Sequence, residues 1–385
     1  FSLTALVYQK QLGEKTALVR AKLPEVPLLC AELCADAATP IYDVKPEDPC
    51  VVMFTGGTSG RSKGALLSHR AVMQGVVNGC YGYKDVFGQR YILVLPLSHV
   101  FGLIRNLLTS LYTGSTLFIC QNNKDMFRDI ATFKPTVLVA VPALAEMALG
   151  LSRQFGRNML GADMKYMICG AAPVPPYLIA EYRKMGIALL PGYGLTESAN
   201  LVSGNPEPER KPESVGIPYP NQELKFVNGE LLLRGANMMD DYIGEPDENA
   251  WEDGWFHTGD LGHIDEEGYL YITGRSKDVI ALSNGENVSP AELEAQFNTL
   301  PFIQDSQVFE AVTEQGRHIL ALEVVPRASE LAALNAGDVK QVMLDALWEV
   351  NAKQPAYARV ERITIRESDF ARTPSMKIVR YKLDK

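Results

Sequence analysis

The chain has 385 residues, a formal net charge of −9 at pH 7, and 46% hydrophobic and 22% charged residues. That length buries a large core and divides into two or more domains, while the acidic balance and the lack of a basic run argue against a nucleic-acid partner. No apolar run approaches a transmembrane helix, and the start, FSLTALVYQKQLGEK, has neither a basic nor a sustained apolar leader region, which points to a cytoplasmic protein.

The six cysteines, Cys30, Cys34, Cys50, Cys80, Cys120 and Cys169, show no C-x-x-C spacing. Neither zinc nor a disulfide framework is indicated, and reduced, mostly buried thiols are expected. CVVMFT and ALL read as buried strands on either side of a glycine-rich loop, FTGGTSGRSKG, Phe54 to Gly64. The loop carries glycines at Gly56, Gly57, Gly60 and Gly64, hydroxyls at Thr55, Thr58, Ser59 and Ser62, and the cation Lys63. Backbone N–H groups in such a turn can converge on phosphate. The spacing fits neither a Walker loop, since Lys63 is followed by Gly64, nor the dinucleotide fingerprint.

From about Cys50 to Pro191 short apolar runs (YILVLPL, TLFIC, TVLVAVP, YMICG, IALLPGYG) alternate with amphipathic helical stretches such as LIRNLLTSLY, the rhythm of a parallel sheet flanked by helices. From Asn221 the strands shorten. Asn228-Gly229 between ELKFV and ELLLRG is a hairpin signal, and a second hairpin turns around Glu267-Gly268. After Arg275 a unit of strand, helix (PAELEAQF), two strands, helix (DVKQVMLDALWEV) and strand (RITIRE) reads as a small α+β domain.

FTGGTSGRSKG, LPLSHVFG, GYGLTES, WFHTGD, GYLYITGRSKDVI with SNGENVSPAELE, and TPSMKIVR follow the order of the motifs of the adenylate-forming superfamily of acyl- and aryl-CoA synthetases, luciferases and peptide-synthetase adenylation domains. The chain resembles that superfamily along most of its length. The resemblance implies an α/β fold: a large N-terminal lobe of mostly parallel sheets flanked by helices, with a small β-barrel-like subdomain, then a small mobile α+β C-terminal domain. The expected division is 1–275, with 221–275 as the β-rich part, and 276–385. Only 53 residues precede Phe54, fewer than the family's usual lead-in, so part of the N-terminal lobe is expected to be missing.

The same resemblance implies roles. Thr55, Gly56, Gly57, Thr58, Ser59, Gly60 and Lys63 would hold the β- and γ-phosphates of ATP. Thr196 would contact phosphate and Glu197 would bind Mg²⁺, since a carboxylate beside phosphates needs a cation between them. Gly170, Ala171 and Ala172, with Tyr193, would sandwich the adenine, Gly192 and Gly194 would belong to the same ATP site, and Asp260 and Arg275 would reach the ribose. His99 would stand at the mouth of the acyl pocket, and Lys377 would contact the acid and the α-phosphate. Lys277 matches a hinge, and Gly285, Glu286 and Asn287 a path for CoA; His257, His263 and His318 are expected to be structural or exposed. Gly56 and Ser62 stand where the family commonly has Ser and Pro, and Met376 where glycine is usual before the lysine. The TPSMK form is most similar to long-chain fatty-acyl-CoA synthetases.

The expected function is therefore ATP-dependent ligation of a medium- or long-chain fatty acid to CoA through acyl-AMP. The same motifs are compatible with an adenylation domain that loads a carrier protein's phosphopantetheine arm, and with a truncated nucleotide-binding lobe without activity.

Overall fold

Val137–Ala140, the run VLVA, is buried at every position in the computed structural model of the chain, the mark of a strand covered on both faces. The structure describes residues 6–8, 21–22, 28–30, 43–55, 63–81, 85–244, 247, 249–282, 286–313, 315–331, 338–372 and 378–380. Two compact units are distinguished, Phe1–Lys45 and Pro46–Lys385. In the first, Leu6–Tyr8 pairs in parallel with Leu28–Cys30. All elements below belong to the second.

Val137–Ala140 lies inside a seven-stranded sheet ordered Ile217–Pro218, Asn200–Gly204, Ala188–Leu195, Tyr166–Cys169, Val137–Ala140, Arg90–Leu93, Thr116–Ile119. The last five are parallel, and the first two add to them antiparallel. Alternate residues of the strands feed two cores. On one face Ile92, Leu138, Met167 and Leu189 pack against helices Met126–Phe133, Pro142–Gln154 and Pro176–Lys184. On the other, Tyr91, Val139, Ile168 and Leu201 pack with Phe101, which opens the π-helix Phe101–Leu108.

The chain places Thr116–Ile119 on one side of Arg90–Leu93 and Val137–Ala140 on the other. Ligands of open α/β sheets bind beyond the carboxyl ends of the strands near such a reversal. His99, Gly170–Ala172 and Thr196–Glu197 all follow the carboxyl ends of parallel strands.

Trp255–Ile264 runs between Glu230–Gly235 and Trp251–Glu252 in a five-stranded antiparallel sheet, with Gln222–Val227 beyond Glu230–Gly235 and Leu270–Arg275 also paired to Trp255–Ile264. Asn228 (φ 50°) and Gly229 (φ 81°) both take the left-handed conformation that a two-residue hairpin turn needs. Asp241–Ile243 leaves this sheet and pairs with Gly64–Ser68, which also pairs with Pro49–Phe54. After Arg275 come a single 3₁₀ turn, Ser276–Asp278, then two short paired strands, Ile280–Ala281 and Asn287–Val288, where one strand was expected, and then helix Pro290–Phe297, the hairpin Ile303–Val312 and His318–Pro326, helix Val339–Ala352 and strand Arg362–Ile365. A core of Phe297, Val308, Leu322 and Leu347 closes this part. Among the described residues no helix is long and apolar enough to cross a membrane.

One expectation changes. Of Cys50, Cys80, Cys120 and Cys169, Cys169 is buried, Cys80 and Cys120 are half-buried and Cys50 is exposed; Cys50 lies near the start of Pro49–Phe54, an edge strand of its sheet.

Gly194 faces the returning strand so closely that a Cβ there would lie 2.1 Å from the Asn200 carbonyl oxygen. Gly194→Ala should therefore lower stability by about 1–3 kcal/mol. Gly150, inside helix Pro142–Gln154 with nothing within 4 Å of an added Cβ, should gain about 0.5–1 kcal/mol as alanine. Urea unfolding of the two variants checks the pair of opposite signs.

Candidate active site

The phosphate-loop candidate is the connection of a β-hairpin. Thr55 N–H donates to the Lys63 carbonyl at 2.8 Å and closes its base. Gly56, Gly57, Thr58, Ser59 and Gly60 lie outside the described residues. The Lys63 ammonium pairs with the Asp247 carboxylate and stands 5.0 Å from the centroid of the Tyr242 ring.

Tyr242 links this loop to the next segment. Its hydroxyl donates to Oε1 of Glu197 at 2.7 Å. Burial first, and then the charge of Glu197, push the Tyr242 pKa far up, so the hydroxyl keeps its proton and remains a donor. Thr196 and Glu197 sit in the turn between Ala188–Leu195 and Asn200–Gly204, not at a helix start. That turn is tied down on several sides: the Ser198 hydroxyl bonds across it to Leu195 and Asn200, Asn237 donates to the Ser198 carbonyl at 2.7 Å, and the Met239 N–H donates to the Glu197 carbonyl at 2.7 Å. Tyr242 and Asp247 were not singled out in the sequence. Their signal is long-range pairing, which no local pattern carries.

Gly170 and Gly192 are neighbours on adjacent parallel strands, where Cys169 is opposite Pro191. A Cβ on Gly170 would lie 2.9 Å from the Gly192 carbonyl oxygen, and one on Gly192 3.0 Å from the Leu201 side chain. These glycines, like Gly194, thus have a packing reason apart from any ligand. Ala171 has φ 66°, a left-handed conformation that costs a non-glycine residue about 1–2 kcal/mol; such strain gathers at functional sites. Phe101 reaches within 3.5 Å of the Gly170 position. His99, two residues earlier, accepts from the Phe101 N–H at Nδ1, 3.2 Å, and so caps the start of a helix that packs against this corner.

The ribose candidates form one cluster. Asp260, 3% exposed, accepts from the Tyr193 hydroxyl at 2.6 Å and pairs with Arg275 Nε at 2.7 Å. Asp260 and Arg275 are direct cross-strand partners. Burial and then the Asp260 charge push the Tyr193 pKa far up. Burial opposes the charge on Arg275, yet Asp260 holds its pKa above the usual value. Both carboxylate oxygens of Asp260 are engaged by protein, one by the Tyr193 hydroxyl and the other by Arg275.

Lys277 lies in the turn Ser276–Asp278. Glu286 accepts from the Leu282 N–H at 2.8 Å, and Asn287 pairs with Ala281; Gly285 lies outside the described residues. Lys377 does too. The chain on either side of residues 373–377 is held, however: Arg372 bridges Ile378, the Val379 N–H donates to the Ala371 carbonyl at 2.8 Å, Arg372 pairs with Asp305, and Arg380 makes two 2.7 Å bonds to Glu294. Among the other histidines, His257 contacts Glu230, His318 contacts Glu310, and His263 stacks on Tyr271.

Residues 4–243 match the family of AMP-binding enzymes, and residues 277–385 match the AMP-binding enzyme C-terminal domain. The chain belongs to the AMP-binding enzyme family. Among curated relatives, this AMP-binding enzyme is 33% identical over 329 residues to an indoleacetate–CoA ligase of Aromatoleum aromaticum, covering 81% of this chain and 64% of that protein. It is 31% identical to an oxalate–CoA ligase of Arabidopsis thaliana (76% and 60% covered) and 34% identical to a long-chain-fatty-acid–CoA ligase of Escherichia coli O157:H7 (68% and 50%). The chain thus spans between half and two thirds of the length of these relatives. Solved structures share the fold: an anthranilate CoA ligase with anthranoyl-AMP has a TM-score of 0.83 at 20% identity, covering 98% of this chain and 76% of that one. O-succinylbenzoate CoA synthetase of Bacillus subtilis, with ATP and magnesium, scores 0.77 at 24% identity, covering 97% and 78%.

Glu294 is 8% exposed, and burial raises its pKa despite Arg380. Arg380→Met should strand this carboxylate and lower stability by about 3–5 kcal/mol. Glu349→Ala, which breaks the exposed pair with Lys353, should change it by less than about 0.5 kcal/mol. Chemical denaturation of both variants is the measurement.

Proposed function

We propose that this AMP-binding enzyme ligates a carboxylic acid to CoA in two steps. The observation that carries the reading is the placement of Lys63 and Glu197 on one tyrosine: the ammonium faces the Tyr242 ring and the carboxylate accepts from its hydroxyl. A cation for phosphate and a carboxylate for a divalent ion are thereby held side by side, which is what a triphosphate with its counter-ion requires. Among the described residues no group of three or more His, Cys, Asp and Glu could hold a metal. That suits Mg²⁺, which commonly takes one or two carboxylates and completes its shell with substrate phosphates and water. Bound there, the ion would neutralise phosphate charge.

In the first step a carboxylate oxygen of the acid attacks the α-phosphorus of ATP. The bond to the β-phosphate oxygen breaks, and pyrophosphate leaves against Lys63 and the loop from Thr55. Gly170–Ala172 and Tyr193 would flank the adenine, with Asp260 and Arg275 at the ribose. Lys377 would stabilise charge that builds at the α-phosphate. In the second step the CoA sulfur attacks the acyl carbon and AMP departs. The part after Arg275 would act as a separate domain that turns about Lys277, withdrawing Lys377 and presenting Gly285, Glu286 and Asn287 to the thiol.

The fatty-acid reading is supported by the TPSMK segment and by the relatives named for long-chain fatty acids. Relatives named for indoleacetate, oxalate and ferulate support an acid of other shape. Pyrophosphate release against acids of increasing chain length, with and without CoA, decides between them: each buried CH₂ adds about 0.8 kcal/mol if the chain is alkyl. Preference for an aromatic or short acid over every fatty acid would remove the fatty-acid reading, and no release with any acid would remove the ligase reading.

Two substitutions separate the proposed roles. Lys63→Ala should weaken ATP binding and leave AMP binding almost unchanged, measured by calorimetry, because it acts at the leaving phosphates. Lys377→Ala should slow acyl-AMP formation by about 10²–10³ yet still convert supplied acyl-AMP and CoA to thioester. Equal loss in both half-reactions would make the lysine a general binding residue.

A further inference from the structure

The strand Asp241–Ile243 is short, lies at the edge of its sheet and has a single partner strand, Gly64–Ser68, which starts immediately after Lys63. Tyr242 is opposite Ala65 in that pairing, so its backbone is fixed to the loop that Lys63 ends. Three residues earlier the Met239 N–H donates to the Glu197 carbonyl, and the Tyr242 hydroxyl takes the carboxylate of the same glutamate. One short segment therefore grips Glu197 at both its main chain and its side chain.

The geometry points to Tyr242 as a positioning residue for the divalent cation, its hydroxyl fixing the rotation of the Glu197 carboxylate and its ring fixing the distance of that carboxylate from Lys63. This deepens the proposed function and rests on it. A carboxylate with one oxygen held by a fixed donor presents its second oxygen in one direction. An unbraced glutamate loses rotamer freedom on binding an ion, and residues that orient a ligating group commonly change metal affinity by 10–100-fold when removed. The hydroxyl stands 2.7 Å from Oε1 of Glu197, within direct hydrogen-bond reach. The ring lies within cation–π range of Lys63 and supports a group that acts on phosphate rather than on the ion. The two halves of the side chain thus serve different charges and can be removed separately.

Tyr242→Phe deletes the hydroxyl and keeps the ring; Tyr242→Leu deletes both; Glu197→Gln is the reference for loss of the ligand itself. The probe is Mn²⁺, followed by electron paramagnetic resonance on the protein with α,β-methylene-ATP, which cannot donate its adenylyl group. Nucleotide affinity without metal is measured in EDTA. Tyr242→Phe should weaken Mn²⁺ retention by about 10–100-fold and change nucleotide affinity in EDTA by less than about twofold. In turnover the half-saturating Mg²⁺ concentration should rise by a similar factor, with the rate recovered at high Mg²⁺, a recovery that Glu197→Gln should not show. Tyr242→Leu should in addition weaken nucleotide binding in EDTA. The inference is overturned if Tyr242→Phe retains Mn²⁺ as the wild type does, or loses metal and metal-free nucleotide binding by the same factor. If the wild type binds the nucleotide but Glu197→Gln holds Mn²⁺ equally well, the assignment of Glu197 falls and the role of Tyr242 falls with it. If the wild type binds no nucleotide, the proposed function itself fails.

Discussion

A carboxylate as buried as Asp260 is tolerated only when it is paired and hydrogen-bonded, because the desolvation of an isolated charge costs several kcal/mol. Two of its partners, Arg275 and Tyr193, come from different sheets. Arg275 is its cross-strand neighbour in the antiparallel sheet, and Tyr193 belongs to the parallel sheet. The 2.6 Å bond from Tyr193 therefore does more than satisfy a hydroxyl. It sets the level of the antiparallel sheet against the strand that carries Gly192, Gly194 and, just beyond, Thr196 and Glu197. Loss of either partner would leave charge behind in a dry place, which is why the two sheets are held in one relation at this point.

The close strand crossing beside Tyr193 follows from the same need. For the Tyr193 strand to turn back immediately after Glu197, Asn200–Gly204 must run against it at a distance that excludes a Cβ at Gly194 and crowds one at Gly192. The turn is rigid because Ser198, Asn237 and Met239 satisfy its polar groups from within the fold. A well-bonded backbone beneath the Glu197 carboxylate suits the role proposed for it, since loose support lets a group drift by the ångström that separates productive from unproductive geometry.

Much of this was legible in the sequence where the signal is local. The apolar runs TVLVAVP and YMICG announce strands buried on both faces, Asn228-Gly229 announces its hairpin, and PAELEAQF announces its helix; each depends on residues within a few positions of one another. The pairing of Asp260 with Arg275 was also within reach, because both lie in motifs of known order. The Tyr242 contacts were not. The tyrosine stands in MMDDYIGEP, which reads as a plain turn-flanked strand, and its partners lie 45 and 179 positions away, at Glu197 and Lys63. The glycines at 170, 192 and 194 were read as room for a ligand, when tertiary crowding by neighbouring backbone is a sufficient reason for each. The cysteines were expected to be mostly buried for their residue type, but for Cys50 a place on an edge strand overrides that preference.

The segment that contains Lys377 shows the same division between local pattern and distant support. Its ends are brought together by Arg372 and Val379, and the arginines at 372 and 380 are each anchored on a carboxylate, Asp305 and Glu294, whose burial raises its pKa. Exchanging such pairs for apolar residues of similar volume is often neutral or even stabilising, so net stability is a poor explanation for two of them in succession. They do specify register. A tail attached by hydrophobic contact alone could shift at little expense, whereas a one-residue slip here would separate Arg372 from Asp305, on strand Ile303–Val312, and Arg380 from Glu294, on helix Pro290–Phe297, at once. If Lys377 acts at the α-phosphate as proposed, that kind of restriction serves it more than additional binding energy.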